Sequence, residues 1–389
     1  MRTTLARYAA LLWLPLIALV GVAAALLGGC GEKIAIPQPT GLWGLKPYWV
    51  EATYDEEPGI VQLLGSQNRL FVLSDDELTK RDTEFEPFES ATGLVDARSL
   101  CADDGDSLIF VWEHTARRVS WFNARDLQPR GSSLLPDVQS AVSMVTCKAG
   151  IDQVPGALTF LYLADPDSGV VHRYAFDLFT GLTPFGILTN RQGNGARFVK
   201  QAAGLARDSE DSLLVCDMDS SRHWVIRFNA EPDPTDFIGD IEWLRGRAVL
   251  FGAATCEPPA PADYVLGNAA ECGETDWVSG PSSADGEFDM PRFVSIDGSG
   301  RIFVADHGND RMQIFDAEGG HLISYGDDQR MPAPLSMAVI DDWLGGPNNV
   351  LWGAIIFVQI DDGARIRKYV SDDWYKRENQ EPPPDDYGS

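Results

Sequence analysis

The stretch Met290 to Gly326, MPRFVSIDGSGRIFVADHGNDRMQIFDAEGGHLISYG, carries a complete structural unit in fewer than forty residues. Val294 and Ile296 alternate with smaller or polar neighbours, as a strand with one buried face does, and Asp297-Gly298-Ser299-Gly300 supplies turn chemistry. Ile302-Phe303-Val304-Ala305 is a short β-rich run, followed by a turn cluster from Asp306 to Asp310. Met312 to Phe315 resumes the strand pattern, Ala317-Glu318-Gly319-Gly320 breaks it, and His321 to Tyr325 fits a fourth strand. One four-stranded antiparallel sheet of this size cannot bury both faces alone, so the unit needs copies of itself to pack against.

Those copies can be placed by register. The spacing from Asp306 to Phe315, with Arg311, Met312 and Ile314 between, recurs without gaps from Glu113 to Phe122, with Arg118, Val119 and Trp121 at the matching places. Asp165 to Tyr174 repeats it with Val171, and Ile360 to Tyr369 repeats it with Arg365 and Ile366. Asp217 to Phe228 fits after a short insertion, and Leu70 to Asp82 is a shorter version. Six units result, with first strands near Ile60, Ser99, Val142, Gly204, Phe293 and Leu335.

At this point the chain resembles the NHL-repeat family of β-propellers. Pro291, Val294, Ile296, Asp297, Gly300, Ile302, Val304, Asp306, Asn309, Arg311, Gln313 and Phe315 stand where that family's pattern expects them. Asp285-Gly286-Glu287-Phe288 resembles its inter-blade loop. Phe293 departs from the pattern, which has a glycine there; Gly204-Leu205-Ala206 keeps that fragment in another unit. The resemblance implies an all-β, six-bladed β-propeller of four-stranded antiparallel blades, covering residues 43–371. The sixth unit shows three strands, so the segment Lys46 to Tyr54, with Tyr48 and Val50 alternating, is expected to complete that blade and close the ring by an N-terminal strand, removing two exposed edges.

Residues 1–29 read as a signal peptide, with Arg2 and Arg7 ahead of an apolar run from Ala9 to Leu27. Leu27-Gly28-Gly29-Cys30 resembles the lipobox of bacterial lipoproteins, which implies cleavage before Cys30, lipidation of its thiol and membrane attachment through that lipid. Gly31 rather than aspartate at the second mature position favours the outer membrane by the same resemblance. Residues 30–42 then form a linker. The formal net charge is −27, and loss of Arg2 and Arg7 makes the mature chain two units more negative. Such a surface repels nucleic acid and anionic headgroups, and it accounts for solubility before any recognition role.

Export makes disulfides plausible. Cys101 and Cys147 lie at the ends of neighbouring first strands and form one candidate pair; Cys256 and Cys272 bracket a proline-rich loop and form another. Cys216 replaces Ala305 in a buried strand and reads as a packed free thiol. The surplus at about residues 230–276 reads as an inserted lobe, between the third strand of the fourth unit and a last strand at Trp277-Val278-Ser279; it serves either as a partner contact or as a cap. Residues 372–389, with Pro382-Pro383-Pro384 and Asp385-Asp386, have the composition of a disordered tail.

Glu113, His114, Asp165, Asp217, Asp306 and His307 stand on equivalent turns between second and third strands. If these turns share one end of the ring they could line a ligand or metal site; alternatively each acid accepts backbone N–H bonds, while Arg118, Arg311 and Arg365 tie strands together. Repetition favours the second reading, because a catalytic site needs unlike residues. Amidating lyases are similar propellers with an axial zinc held by histidines, but none of the five histidines lies on an expected innermost strand; Arg292 and Gly204 occupy the places to search. Gluconolactonase-like propellers bind a divalent cation at the axis through acids and an amide, and no such trio assembles from these residues. His172, on a third strand, reads as a surface residue. The expected function is therefore a monomeric, lipid-anchored scaffold of the bacterial cell envelope that binds a protein, peptide or glycan, without a required cofactor. The alternative is a periplasmic metal-dependent hydrolase or lyase with a divalent cation at the axis.

Overall fold

The computed structural model describes residues 48–54, 59–66, 69–103, 105, 107–148, 159–187, 199–208, 212–220, 223–228, 241–245, 248–250, 277–279, 281–344 and 350–371. All belong to one compact unit, Gly44–Ser389. The signal segment, Cys30, the linker, Cys256, Cys272 and the tail lie outside the described residues.

Six four-stranded antiparallel sheets make up the ring. Blade 1 comprises β2 (Ile60–Ser66), β3 (Arg69–Ser74), β4 (Glu77–Arg81) and β5 (Pro87–Thr92). Blade 2 comprises β6 (Ala97–Ala102), β7 (Leu108–Glu113), β8 (Arg118–Asn123) and β9 (Pro129–Leu134). Blade 3 comprises β10 (Ser143–Lys148), β11 (Thr159–Asp165), β12 (Val170–Asp177) and β13 (Gly181–Ile187). Blade 4 comprises β14 (Ala202–Arg207), β15 (Leu213–Asp217), β16 (Trp224–Phe228) and β17 (Ile241–Arg245). A two-stranded ribbon follows, β18 (Ala248–Leu250) with β19 (Trp277–Ser279). Blade 5 comprises β20 (Pro291–Ile296), β21 (Ile302–Asp306), β22 (Arg311–Phe315) and β23 (His321–Tyr325).

Blade 6 takes β24 (Ser336–Leu344), β25 (Val350–Ile360) and β26 (Arg365–Ser371) from the end of the chain and β1 (Tyr48–Tyr54) from its beginning. The expected closure is present: β1 runs antiparallel to β26, from Tyr48 opposite Ser371 to Tyr54 opposite Ile366. Tyr54 stacks on Phe85 of blade 1 at a centroid distance of 4.2 Å, so the closing strand also meets the next blade. Blade 4 corrects one expectation. Its fourth strand is Ile241–Arg245, paired to β16, while Trp277–Ser279 pairs with β18 instead. The nearer segment completes the sheet with a shorter loop, which costs less chain entropy to close.

The core follows from strand periodicity. Successive side chains on a second strand point to opposite faces, so each blade feeds two apolar layers. On β7, Phe110 and Trp112 pack toward blade 3, while Ile109 and Val111 pack toward blade 1. Six separate clusters result, one between each pair of neighbouring blades, including one between blades 6 and 1 built on Leu63, Val72, Ile355 and Phe357. Among the described residues no blade has a private core. The sheet module therefore gains its burial only from neighbours, which is the physical reason the repeat must recur and close.

The same periodicity separates two cysteines. Cys101 packs in the layer between blades 2 and 3, whereas Cys147 packs between blades 3 and 4. Both are buried and neither is in a disulfide in the structure, in contrast to the expected bond. Like-facing residues on consecutive inner strands point the same way round the ring, so the β10 backbone lies between the two thiols. Cys216 is a buried free thiol, as its place on β15 suggested, and burial pushes its pKa well up.

Polar side chains stitch the innermost strands. Ser336 Oγ accepts the Leu63 N–H at 3.3 Å and donates to Gln359 Oε1 at 2.8 Å. Gln359 Nε2 donates to the Ile60 carbonyl at 2.7 Å. Gln62 exchanges two bonds with the Leu100 backbone, and the Leu205 N–H donates to Ser143 Oγ. Between blades 4 and 5 the contact is backbone against backbone: a Cβ on Gly204 would lie 2.8 Å from Phe293 Cα and 3.0 Å from the Arg292 carbonyl oxygen. Only glycine permits that approach.

Candidate functional site

The repeated acids are the last residues of second strands, and antiparallel pairing sets them beside the loop that leads into the first strand of their own blade. Asp306 Oδ1 accepts the Asp289 N–H at 2.7 Å, and its other oxygen accepts from Arg311 Nε at 2.8 Å, Asn309 Nδ2 at 2.9 Å and Gln313 Nε2 at 3.0 Å. Arg311 donates onward to the carbonyls of Ser283, Ala284 and Glu287, and Gln313 to that of Glu287. Asp306, Asn309, Arg311 and Gln313 of the fifth unit's pattern are thus one network that pins the inter-blade loop.

The other blades repeat this with substitutions. Glu113 takes Arg118 Nε and Nη2, each at 2.7 Å, Ser120 Oγ at 2.5 Å and the Val95 N–H at 3.0 Å. Asp165 accepts the N–H groups of Gln139, Ser140 and Ser168, and Asp217 those of Lys200, Gln201 and Asp219. The residue seven positions after the acid reaches it in three blades: Gln313, Ser120, and His172 with Nε2 at 3.4 Å from Asp165. His172 is therefore buried rather than on the surface.

All four carboxylates are fully buried. Burial by itself would raise the pKa of Glu113, but the bonds from Arg118, Ser120 and Val95 outweigh it and hold the group below its ordinary range. Asp165 is also held low against burial, by His172 and by backbone N–H groups of Gln139 and Ser168. In Asp306 burial prevails over its donors, and the pKa is raised. The arrangement can hold loops; it presents no carboxylate to a ligand. His307 lies with Nδ1 3.3 Å from the Pro334 carbonyl.

Two of these turns do share one end of the ring. His114 and Met218 line a cavity of about 430 Å³ together with the beginnings of all six innermost strands. One equivalent residue per blade contributes: Val61, Arg98, Val142, Ala203, Arg292 and Leu335. Arg98 sits between the paired residues Ala97 and Ser99, and Arg292 between Pro291 and Phe293, at register shifts of their strands. A bulged residue escapes the ladder and is turned out of the sheet, here into the axial mouth. Arg292 stood among the places worth searching in the sequence. Arg98 did not, although stacking the six first strands in register aligns it with Arg292.

Arg98 is half exposed and pairs with Asp96 at 2.5 Å. Asp96 also accepts from Thr115 Oγ1 at 2.7 Å, the main cause of its lowered pKa. Arg292 Nε is buried with no hydrogen-bond partner among the described residues, and the same holds for His114 Nδ1. Among the described residues no group of three or more His, Cys, Asp or Glu is placed to hold a metal. Among the described residues the cavity lining offers two guanidinium groups, one imidazole, the amide of Gln62, the hydroxyls of Ser140 and Ser336, and no carboxylate, a set poor in the oxygen donors that hold a divalent cation.

Fold and mouth together define a six-bladed β-propeller whose axis is lined by one residue from each blade. Residues 288–315, within blade 5, match the family model for the NHL repeat. No curated protein matches the chain. Among solved structures, a virginiamycin B lyase from Staphylococcus aureus with quinupristin is similar at 12% identity over 81% of this chain and 82% of that one, with a TM-score of 0.45. A gluconolactonase from Xanthomonas campestris is similar at 12% identity over 84% of this chain and 95% of that one, with a TM-score of 0.48. The β-propeller domain of Cps50 from Myceliophteria thermophila is similar at 9% identity over 83% and 99%, with a TM-score of 0.48. These are resemblances of fold.

Proposed function

We propose that the chain is a binding scaffold of the bacterial cell envelope, held to a membrane through lipid on Cys30 and engaging a protein, peptide or glycan with one face of the propeller. The observation that supports this reading is the condition of the repeated acids. Glu113, Asp165, Asp217 and Asp306 are fully buried and bound to loop backbone, so the recurring polar chemistry of this chain builds the ring. Binding is left to features that occur once: the axial mouth, the rims and the segment that follows blade 4. Loops on a rigid ring suit such a role, because the scaffold holds them with little ordering left to do on association.

Affinity capture with the purified full chain from envelope extracts tests this, beside a variant lacking residues 251–276. That deletion is chosen because Ile241–Arg245 is a blade strand and must remain. A saturable partner retained by the intact chain and lost by the variant assigns docking to the lobe. The same partner on both assigns it to the propeller faces. No saturable partner, together with turnover of lactone or ester substrates that depends on added divalent cation, overturns the scaffold reading in favour of the metal-dependent hydrolase.

A further inference from the structure

We propose that the axial mouth is a binding site for a compact oxyanion, a carboxylate or a phosphate group, with Arg292 as its principal ligand and Arg98 and His114 as the groups that complete it. Blades 2 and 5 stand opposite each other in a ring of six, so the bulges of β6 and β20 bring two guanidinium groups to the axis from opposite sides. The four equivalent positions are apolar: Val61, Val142, Ala203 and Leu335. The mouth thus holds two cations among apolar groups and the polar side chains of Gln62, Ser140 and Ser336, in a chain whose formal net charge is −27.

The two arginines are not equally committed. Arg98 is paired to Asp96, which Thr115 also holds, so its charge is largely answered from within blade 2. Arg292 has no such answer: its Nε is buried and unbonded, and no acidic side chain pairs with it among the described residues. The rest of the Arg292 side chain is partly exposed at the mouth, so a guanidinium that cannot shed its charge stands open to an acceptor arriving from outside. A carboxylate or phosphate fills that role with two parallel N–H···O bonds, and a neutral sugar does not. His114, with Nδ1 equally unbonded, supplies a further donor at the same mouth when that nitrogen carries the proton. A cavity of about 430 Å³ admits a small metabolite or the end of a chain, not a folded domain. This site is independent of docking at the rims and stands or falls apart from it.

Isothermal titration of the full chain with inorganic phosphate and, separately, with succinate tests the site and tells the two sources of oxyanion apart. Saturable one-to-one binding of at least one probe is expected, weakened at least tenfold by Arg292→Gln, less by Arg292→Lys, and not by Arg130→Gln on an exposed strand. Circular dichroism and thermal melting of each variant confirm that the ring is intact, and Arg98→Gln serves as a second variant with a smaller expected loss. Absence of saturable binding to either probe, or equal binding by the folded Arg292→Gln variant, overturns the proposal.

Discussion

Glu113 shows how one side chain serves both strand and loop. Its two oxygens take the Arg118 fork, the Ser120 hydroxyl and the Val95 N–H, so a single carboxylate ties β7 to β8 and to the segment before β6. Replacement by glutamine keeps the shape and removes the charge. Glu113→Gln is expected to cost about 2 kcal/mol in chemical denaturation, below the range for a fully buried pair because Arg118 remains partly in water. The pH dependence follows from direction. The folded pKa of Glu113 lies below its unfolded value, so the stability it contributes is present above the unfolded value and is lost as pH falls through the folded one. Asp165 acts in the same sense; Asp306, raised by burial, acts in the opposite sense and offsets part of it. The wild-type chain should therefore lose stability below about pH 4, and Glu113→Gln should show a shallower acid limb in denaturation curves taken across that range.

At the scale of elements, β1 settles how the ring is held shut. Strands β24 to β26 alone would leave the β26 edge unpaired, open to another chain. Deletion of residues 44–54 is expected to lower the melting temperature markedly, to break the single transition and to raise concentration-dependent aggregation, all readable by calorimetry and light scattering. An unchanged melting temperature in the deletion would show that β1 is dispensable for closure. The contribution of β1 could be foreseen because a blade with three strands at one terminus and an alternating segment at the other is an arithmetical match. The fourth strand of blade 4 could not, since Ile241-Glu242-Trp243-Leu244-Arg245 and Trp277-Val278-Ser279 are both short β-rich runs and only pairing decides between them. The bond expected between Cys101 and Cys147 is not formed in the structure for a related reason. Nearness of two strands round the axis is legible in a repeat, whereas the direction a side chain takes round the ring depends on the face each inner strand presents.

At the scale of the whole molecule, the ring is closed by six apolar layers and carries side chains that do not repeat from blade to blade at its axis. The proposed attachment to a membrane rests on Cys30. Cys30→Ala expressed in a bacterial host should shift the chain from the membrane fraction to the soluble fraction, because each buried acyl methylene contributes about 0.8 kcal/mol to anchoring and the substitution removes them all. Retention of the variant in membranes washed at high salt and high pH would refute lipid anchoring.

The pattern of turns, alternating apolar residues and repeated acids was enough to establish the number of blades, their first strands and the missing strand at the end, because those depend on local propensity and on a spacing counted along the chain. Which of the acids face solvent, which cysteines face each other and where Arg98 meets Arg292 depend on bulges and on how one blade's face lies against the next. Those are relations between residues far apart in sequence, and burial and register in the closed ring decide them.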